Sequence, residues 1–181
     1  MPSYDRIVLD IRVAADWIDP PVPRGEESQH VTALVDRAYG LKSGGQHPPP
    51  GVFEMGRIWE YAARPLVEEW AKLHGGKAIF KLPPLTVDGI VGSLDSLIFW
   101  PDSVAVVDMK FTFSPLRNPL ERTKWMGQFM AYCYMVGATT AYVPNLTVSI
   151  RPPGATITIW TINFDQTEIQ RNWQALLDSR T

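Results

Sequence analysis

The chain has 181 residues, enough for one domain with a sizeable core, and carries a formal net charge of −2. That balance provides no global basic field, so any contact with nucleic acid has to be local. The single cysteine, Cys133, leaves no disulfide framework or cysteine zinc site within one chain and suits a reducing compartment. No basic segment followed by an apolar one opens the sequence, and no apolar run approaches the ~20 residues a bilayer span needs. The expectation is a cytoplasmic protein with no membrane partner.

Residues 4–18 fit a strand or a helix equally, and Pro20, Pro21 and Pro23 then interrupt the chain. Val31, Leu34, Val35 and Ala38 follow helical spacing and predict a short helix over 28–40 with Ser28 as its N-cap. Residues 41–51 read as a Gly- and Pro-rich loop. A long helix follows, with Met55, Trp59, Ala62, Leu66, Trp70 and Leu73 as its apolar stripe and Pro65 as a source of kinking. It ends at His74-Gly75-Gly76, where the histidine suits the negative end of the helix dipole. Glu60 lies off the stripe on a line with Gly56, Ala63 and Val67, so it turns toward the protein; Glu68 and Glu69 read as solvated. The sequence does not orient Arg57 and Arg64.

Residues 77–112 predict a β-meander of four strands over 77–82, 86–91, 94–100 and 104–112. Pro83-Pro84 and Pro101-Asp102 mark turns, as does Asp88, and Gly92 is a candidate bulge. Val104–Val107 is short, apolar and β-branched, the pattern of a buried strand. A strand's period of two puts Asp108 and Lys110 on one face. Buried charges there must be paired or bind a metal. Asp95, thirteen residues upstream, adds a second carboxylate, and two carboxylates suit Mg²⁺, which keeps several waters. A lysine beside such an ion can orient a water or stabilise phosphate charge.

A partly basic loop over 113–123 leads to a helix over 121–137 that is apolar almost all round and stops at Gly137. Gln128 and Tyr132 share one face of it, and each needs a hydrogen-bond partner. Cys133 on the same helix reads as a small buried hydrophobe. Strands over 140–150 and 155–163 flank Pro152-Pro153-Gly154. The last helix opens with a capping box, Asp165 to Glu168, and turns Ile169, Trp173, Leu176 and Leu177 inward.

In order, the chain shows Gly56-x-x-x-Glu60, Gly92-x-x-Asp95, Asp108-x-Lys110 and Gln128-x-x-x-Tyr132. This set resembles the PD-(D/E)XK nuclease superfamily, most closely its RecB-type and phage exonuclease branch. The resemblance covers about residues 52–137 of a single domain spanning 1–181. Asp-x-Lys alone is a weak signal; the ordered set is a much stronger one. Glu60 stands where many RecB-type members carry histidine, and one cysteine rules out the iron–sulfur subfamilies.

The resemblance implies an α/β (α+β) fold with a restriction-endonuclease-like core, a central mixed β-sheet flanked by helices. It implies Mg²⁺ or Mn²⁺ on Asp95, Asp108 and the Met109 carbonyl, with Glu60 completing the site directly or through water. Lys110 would orient or activate the attacking water, and Gln128 and Tyr132 would position Lys110 or the DNA backbone. Arg117, Arg122 and Lys124 are weaker candidates for phosphate contact, with a solvated loop as the alternative. The implied activity is a DNA exonuclease, favoured over an endonuclease, of phage or bacterial recombination and repair. DNA is the implied partner; a homo-oligomer, a recombination partner protein, and a lid over 43–51 stay open. The competing readings are a catalytically inactive nucleic-acid-binding module of the same fold and a structural Asp108–Lys110 ion pair in an unrelated protein.

Overall fold

The computed structural model describes residues 29–41, 51–113, 118–150 and 153–180. The expectations for 4–18, for Ser28 and for a lid over 43–51 fall wholly or almost wholly outside them. Four helices are described: α1 (Val31–Ala38), α2 (Val52–Leu73), α3 (Thr123–Val136) and α4 (Gln166–Asp178). The strands are β1 (Lys77–Phe80), β2 (Leu85–Val87), β3 (Ile90–Gly92), β4 (Ser96–Phe99), β5 (Val104–Val107), β6 (Lys110–Thr112), β7 (Thr140–Ile150) and β8 (Pro153–Asn163).

The main sheet is mixed. β1, β4 and β5 are antiparallel neighbours, β5 runs parallel to β7, and β8 returns antiparallel along β7. β6 also pairs with β7, in the register that β5 uses: Val107 lies opposite Tyr142 and Lys110 opposite Asn145. The expected strand over 104–112 is therefore one strand interrupted at Asp108-Met109. That register sets Met109 opposite Pro144, which has no N–H to continue a ladder.

The period of two assigns the two faces. Leu97, Val106, Ala141, Val143 and Ile162 pack with α1, α3 and α4, whereas Ile98, Val107 and Tyr142 pack with α2. The alternation carries through the interruption, because Met109 joins Trp59 and Ala63 of α2.

Several elements differ from expectation. The cap of α1 is His30, whose Nδ1 accepts the Thr32 N–H. α2 is a continuous helix through Pro65 and buries Trp59, Ala63, Val67 and Ala71. The expected stripe was thus rotated: Leu66 is 53% exposed and Leu73 76%. Small side chains at Ala63 and Ala71 let the helix approach the sheet closely. The single strand expected over 86–91 is a hairpin of β2 and β3, turned at Asp88 and Gly89 with φ of 49° and 76°. Positive φ at both central residues of a two-residue Asp-Gly turn matches the twist of the flanking strands. Gly137 caps α3 in the left-handed region, and the Asp165–Glu168 capping box forms as expected.

Candidate metal and nucleic-acid site

The β4–β5 hairpin brings the two aspartates together. Its register pairs Ser96 with Val107, and one further step sets Asp95 across from Asp108. Directly opposed residues in an antiparallel pair have Cβ atoms about 5 Å apart. Asp95 Oδ2 accepts the Met109 N–H at 2.8 Å, so a side chain satisfies the amide that the interrupted strand leaves without a ladder partner. Asp108 is 2% exposed. Its Oδ2 meets the Lys110 ammonium in an ion pair and makes no hydrogen bond of regular geometry among the described residues.

Asp108 and Lys110 share a face, as their spacing predicted, and Lys110 meets α3 there. Lys110 Nζ lies 3.5 Å from Gln128 Oε1, and Gln128 Nε2 donates to the Tyr132 hydroxyl at 3.0 Å. The ammonium also lies 5.7 Å from the Trp125 ring centroid and 5.5 Å from that of Phe129. Tyr132 is 1% exposed, so the Gln128–Tyr132 pair is anchored in the core and holds Lys110 from behind. Gly92 fits the same packing: a Cβ there would fall 2.6 Å from Met135 Sδ and 3.2 Å from Tyr132 Cε1.

The electrostatics are unbalanced. Burial, then the charges of Asp108 and Glu60, push the Asp95 carboxyl well above its ordinary range, against Lys110 and the Met109 N–H. Burial raises Asp108 as well, against Lys110. Burial acts to lower Lys110, but Asp108 and Asp95 outweigh it and hold the ammonium above its usual value. Two desolvated carboxylates therefore face one cation, a set that an oxygen-seeking divalent ion would complete. Among the described residues no three His, Cys, Asp or Glu side chains gather as a metal cage. Glu60 acts on Asp95 through its charge and lines the same cavity. Mg²⁺ commonly takes one or two carboxylates with waters and substrate oxygens, so Asp95 and Asp108 fit it without a third acid.

The basic candidates separate. Arg122 is exposed, with its guanidinium 5.8 Å from the Trp125 ring centroid. Lys124 Nζ is 2.7 Å from Asp36 Oδ2 and joins α3 to α1. Arg117 lies outside the described residues. Away from the cluster, His74 caps α2 with Nδ1 2.7 Å from the Trp70 carbonyl. Burial pushes the Cys133 thiol up to about 12, leaving it inert.

Two features of the site gave no clear sequence signal. Asn145, 1% exposed and in register with Lys110, donates to Thr147 Oγ1 at 2.9 Å and Thr112 Oγ1 at 3.3 Å. A buried polar residue within an apolar strand was its only mark. His30 Nε2 lies 3.3 Å from Ser93 Oγ, inside the Gly92–Asp95 motif; the two are 63 positions apart, beyond any local pattern.

No protein-family model and no curated protein matches the sequence. Solved structures do. The chain aligns with a phage-related exonuclease from Haemophilus somnus 129PT at TM-score 0.54 and 16% identity, over 83% of this chain and 78% of that one. It aligns with SSO0001 at TM-score 0.53 and 16% identity, over 94% and 85% of the two chains. The chain shares the fold of these structures, with a central mixed sheet between helices.

Proposed function

We propose that this protein is a metal-dependent deoxyribonuclease, and an exonuclease in preference to an endonuclease, working with Mg²⁺ or Mn²⁺ at Asp95 and Asp108. The observation that carries the reading is the pair of desolvated carboxylates opposed at the strand interruption, with Lys110 held against them by Gln128. A bound divalent ion would supply Lewis-acid charge at the scissile phosphate and acidity to the attacking water. Asp95 and Asp108 would hold that ion, with the Met109 carbonyl as a further ligand, and Glu60 would complete the site directly or through water. Lys110, kept protonated by its two acidic neighbours, donates hydrogen bonds to the water or to a phosphate oxygen and balances charge that develops during in-line displacement. Gln128 and Tyr132 fix the height and direction of that ammonium. Arg122 is an exposed cation beside the Trp125 ring that Lys110 also approaches.

The exonuclease preference, and with it a place in phage or bacterial recombination and repair, is supported by the Haemophilus somnus neighbour, which is described as a phage-related exonuclease. The test is cleavage of end-labelled linear and closed-circular DNA with Mg²⁺, Mn²⁺ or chelator, with Lys110→Ala as control. Metal-dependent loss of linear DNA alone, absent in the variant, is the expected result. Cleavage of both forms makes the protein an endonuclease. No cleavage of either by the folded protein favours an inactive binding module.

A further inference from the structure

One face of β7 presents Ala141, Val143, Asn145 and Thr147, all buried. The face is apolar up to the level of Lys110 and polar from there on. An apolar side chain at 145 would simply continue the core, so a buried amide at that position needs a reason. Its nitrogen donates to Thr147 Oγ1 at 2.9 Å and to Thr112 Oγ1 at 3.3 Å, and those two hydroxyls bond each other at 3.1 Å. Its oxygen accepts no hydrogen bond among the described residues. A buried amide satisfied at one end only costs stability.

The register gives that oxygen a direction. β6 and β7 run parallel, with Lys110 opposite Asn145 and Thr112 opposite Thr147. The amide nitrogen leans forward to the threonines, which leaves the oxygen on the side of Lys110 and Asp108. The ammonium favours the same orientation, with the negative end of the amide dipole toward the cation. Neighbouring strands lie about 4.8 Å apart, a gap that a lysine side chain spans by turning its terminal torsions.

The Lys110 ammonium has three N–H bonds. One meets Asp108 and one is directed at Gln128 Oε1 at 3.5 Å; the third is the one the nuclease reading assigns to water or phosphate. Asp108 cannot serve the ammonium and a divalent ion at full strength, because two cations that share a carboxylate repel each other. The N–H directed at Asp108 then needs another acceptor. Resting on the nuclease reading, we propose that Asn145 is a positioning residue for Lys110, its amide oxygen receiving the N–H that Asp108 gives up on metal binding. Gln128 then holds the ammonium from the helix side and Asn145 from the sheet side, and the third N–H keeps its aim. Asn145 acts through Lys110 and touches neither ion nor DNA, in keeping with its burial.

The experiment is titration of Mn²⁺ alone into the protein, read by calorimetry and by melting temperature, beside cleavage of linear DNA at saturating Mn²⁺. Asn145→Leu keeps the size of the side chain without its polar atoms, and Thr112 and Thr147 still bond each other. In chelator it should melt at or above the wild type, since an apolar group replaces a half-satisfied amide. Its Mn²⁺ affinity should fall about 10-fold and its kcat by about 10–100-fold, the usual effect of losing a group that orients a metal site, with KM for DNA unchanged. Asn145→Asp keeps an oxygen in the same place and should restore kcat to near the wild-type value. Asn145→Ser can bond Thr147 but falls short of Lys110; it should lose what the leucine variant loses, and it decides the question if leucine impairs folding. Unaltered Mn²⁺ affinity and kcat overturn the inference, as does a lower melting temperature as the only change, the mark of a purely structural residue. The failures are distinguishable: a wild type that binds Mn²⁺ and cleaves no DNA counts against the nuclease reading while the titration still decides the role of Asn145, and a wild type that binds no Mn²⁺ removes both.

Discussion

β5 and α2 connect two ends of the sheet, and the two ends are built differently. Where β5 begins and α2 finishes, Trp70, Trp100 and Tyr142 meet edge to face at centroid distances of 4.9–6.3 Å. The contacts are apolar, and nothing there is short of a partner by virtue of charge. Where β5 ends, the same sheet holds two carboxylates and an ammonium out of water, an interrupted strand and a buried Asn145 Oδ1 without a hydrogen bond among the described residues. Aromatic rings gain from close packing wherever they meet, whereas desolvated charges of unequal number do not. The difference assigns the ends their work: one contributes stability, and the other holds an arrangement that only a further ligand balances.

Single substitutions at the two ends should separate these roles. Lys110→Met keeps the length and apolar stem of the side chain and removes the charge. DNA cleavage should fall by about 10²–10³-fold or more, the usual effect of deleting one preorganised donor. The melting temperature in chelator should fall too, because Asp108 is left buried without its cation, so the rate is read well below the transition. Full cleavage by this variant removes Lys110 from the mechanism. Trp70→Ala should lower stability alone. Trp70 is half-buried, so the loss should be about 2–3 kcal/mol, below the 3–5 kcal/mol of a fully buried tryptophan. At 2–4 °C per kcal/mol for this size, the melting temperature drops by roughly 4–12 °C, while cleavage well below the transition keeps its rate. A Trp70→Ala protein that melts normally but no longer cleaves would merge the two ends into one functional unit.

The site end was the more legible from sequence, because its logic is local. A hairpin spacing sets Asp95 across from Asp108, a period of two puts Asp108 and Lys110 on one face, and a helical step of four aligns Gln128 with Tyr132. Each is short-range geometry, and each is observed. The interruption at Asp108-Met109 was not legible, because its cause is Pro144 on another strand. The buried face of α2 was misjudged by one position, because apolar residues occupy two adjacent lines of a long helix and only the sheet decides between them. The Asp88-Gly89 hairpin carried a sequence signal that was read as a turn residue inside a single strand. His30 and Ser93 meet from segments 63 positions apart, which no spacing rule links.

The unbalanced charge at the site end also predicts a pH effect that the aromatic end cannot show. The folded-state pKa of Asp95 is raised, first by burial and then by Asp108 and Glu60. Below its unfolded value of about 3.9 the group is protonated in both states, and its contribution to stability is fully present. As pH rises through the folded value the native state must release a proton it holds more tightly than the unfolded chain does, so stability declines. Asp95→Asn keeps an acceptor for the Met109 N–H and abolishes that decline. In chelator near pH 8 the variant should melt above the wild type. With Mn²⁺ the order should reverse, because the ion stabilises by mass action only the protein that binds it. Equal Mn²⁺ stabilisation of both proteins takes Asp95 out of the metal site.

The finest test uses one substitution at both ends. Gly76, near the aromatic end, allows a close approach: a Cβ there would lie 2.4 Å from Trp100 Cε3 and 3.1 Å from Ile98 Cγ2. Gly76→Ala forces a rigid ring to move and should cost about 1–3 kcal/mol, the range for overpacking. Gly56 sits inside α2 at the site end, in open space among the described residues. A glycine within a helix costs roughly 0.5–1 kcal/mol relative to alanine, and no contact in the described structure requires it. Gly56→Ala should therefore stabilise the protein by about that amount, or roughly 1–4 °C in melting temperature. Opposite signs for one chemical change would show that packing demands glycine at one end of the sheet and tolerates its cost at the other. If Gly56→Ala stabilises the fold yet weakens DNA binding, the missing methyl group leaves room for substrate beside α2. If Gly56→Ala destabilises the protein, the open space at Gly56 is occupied in solution, and both ends of the sheet require their glycine.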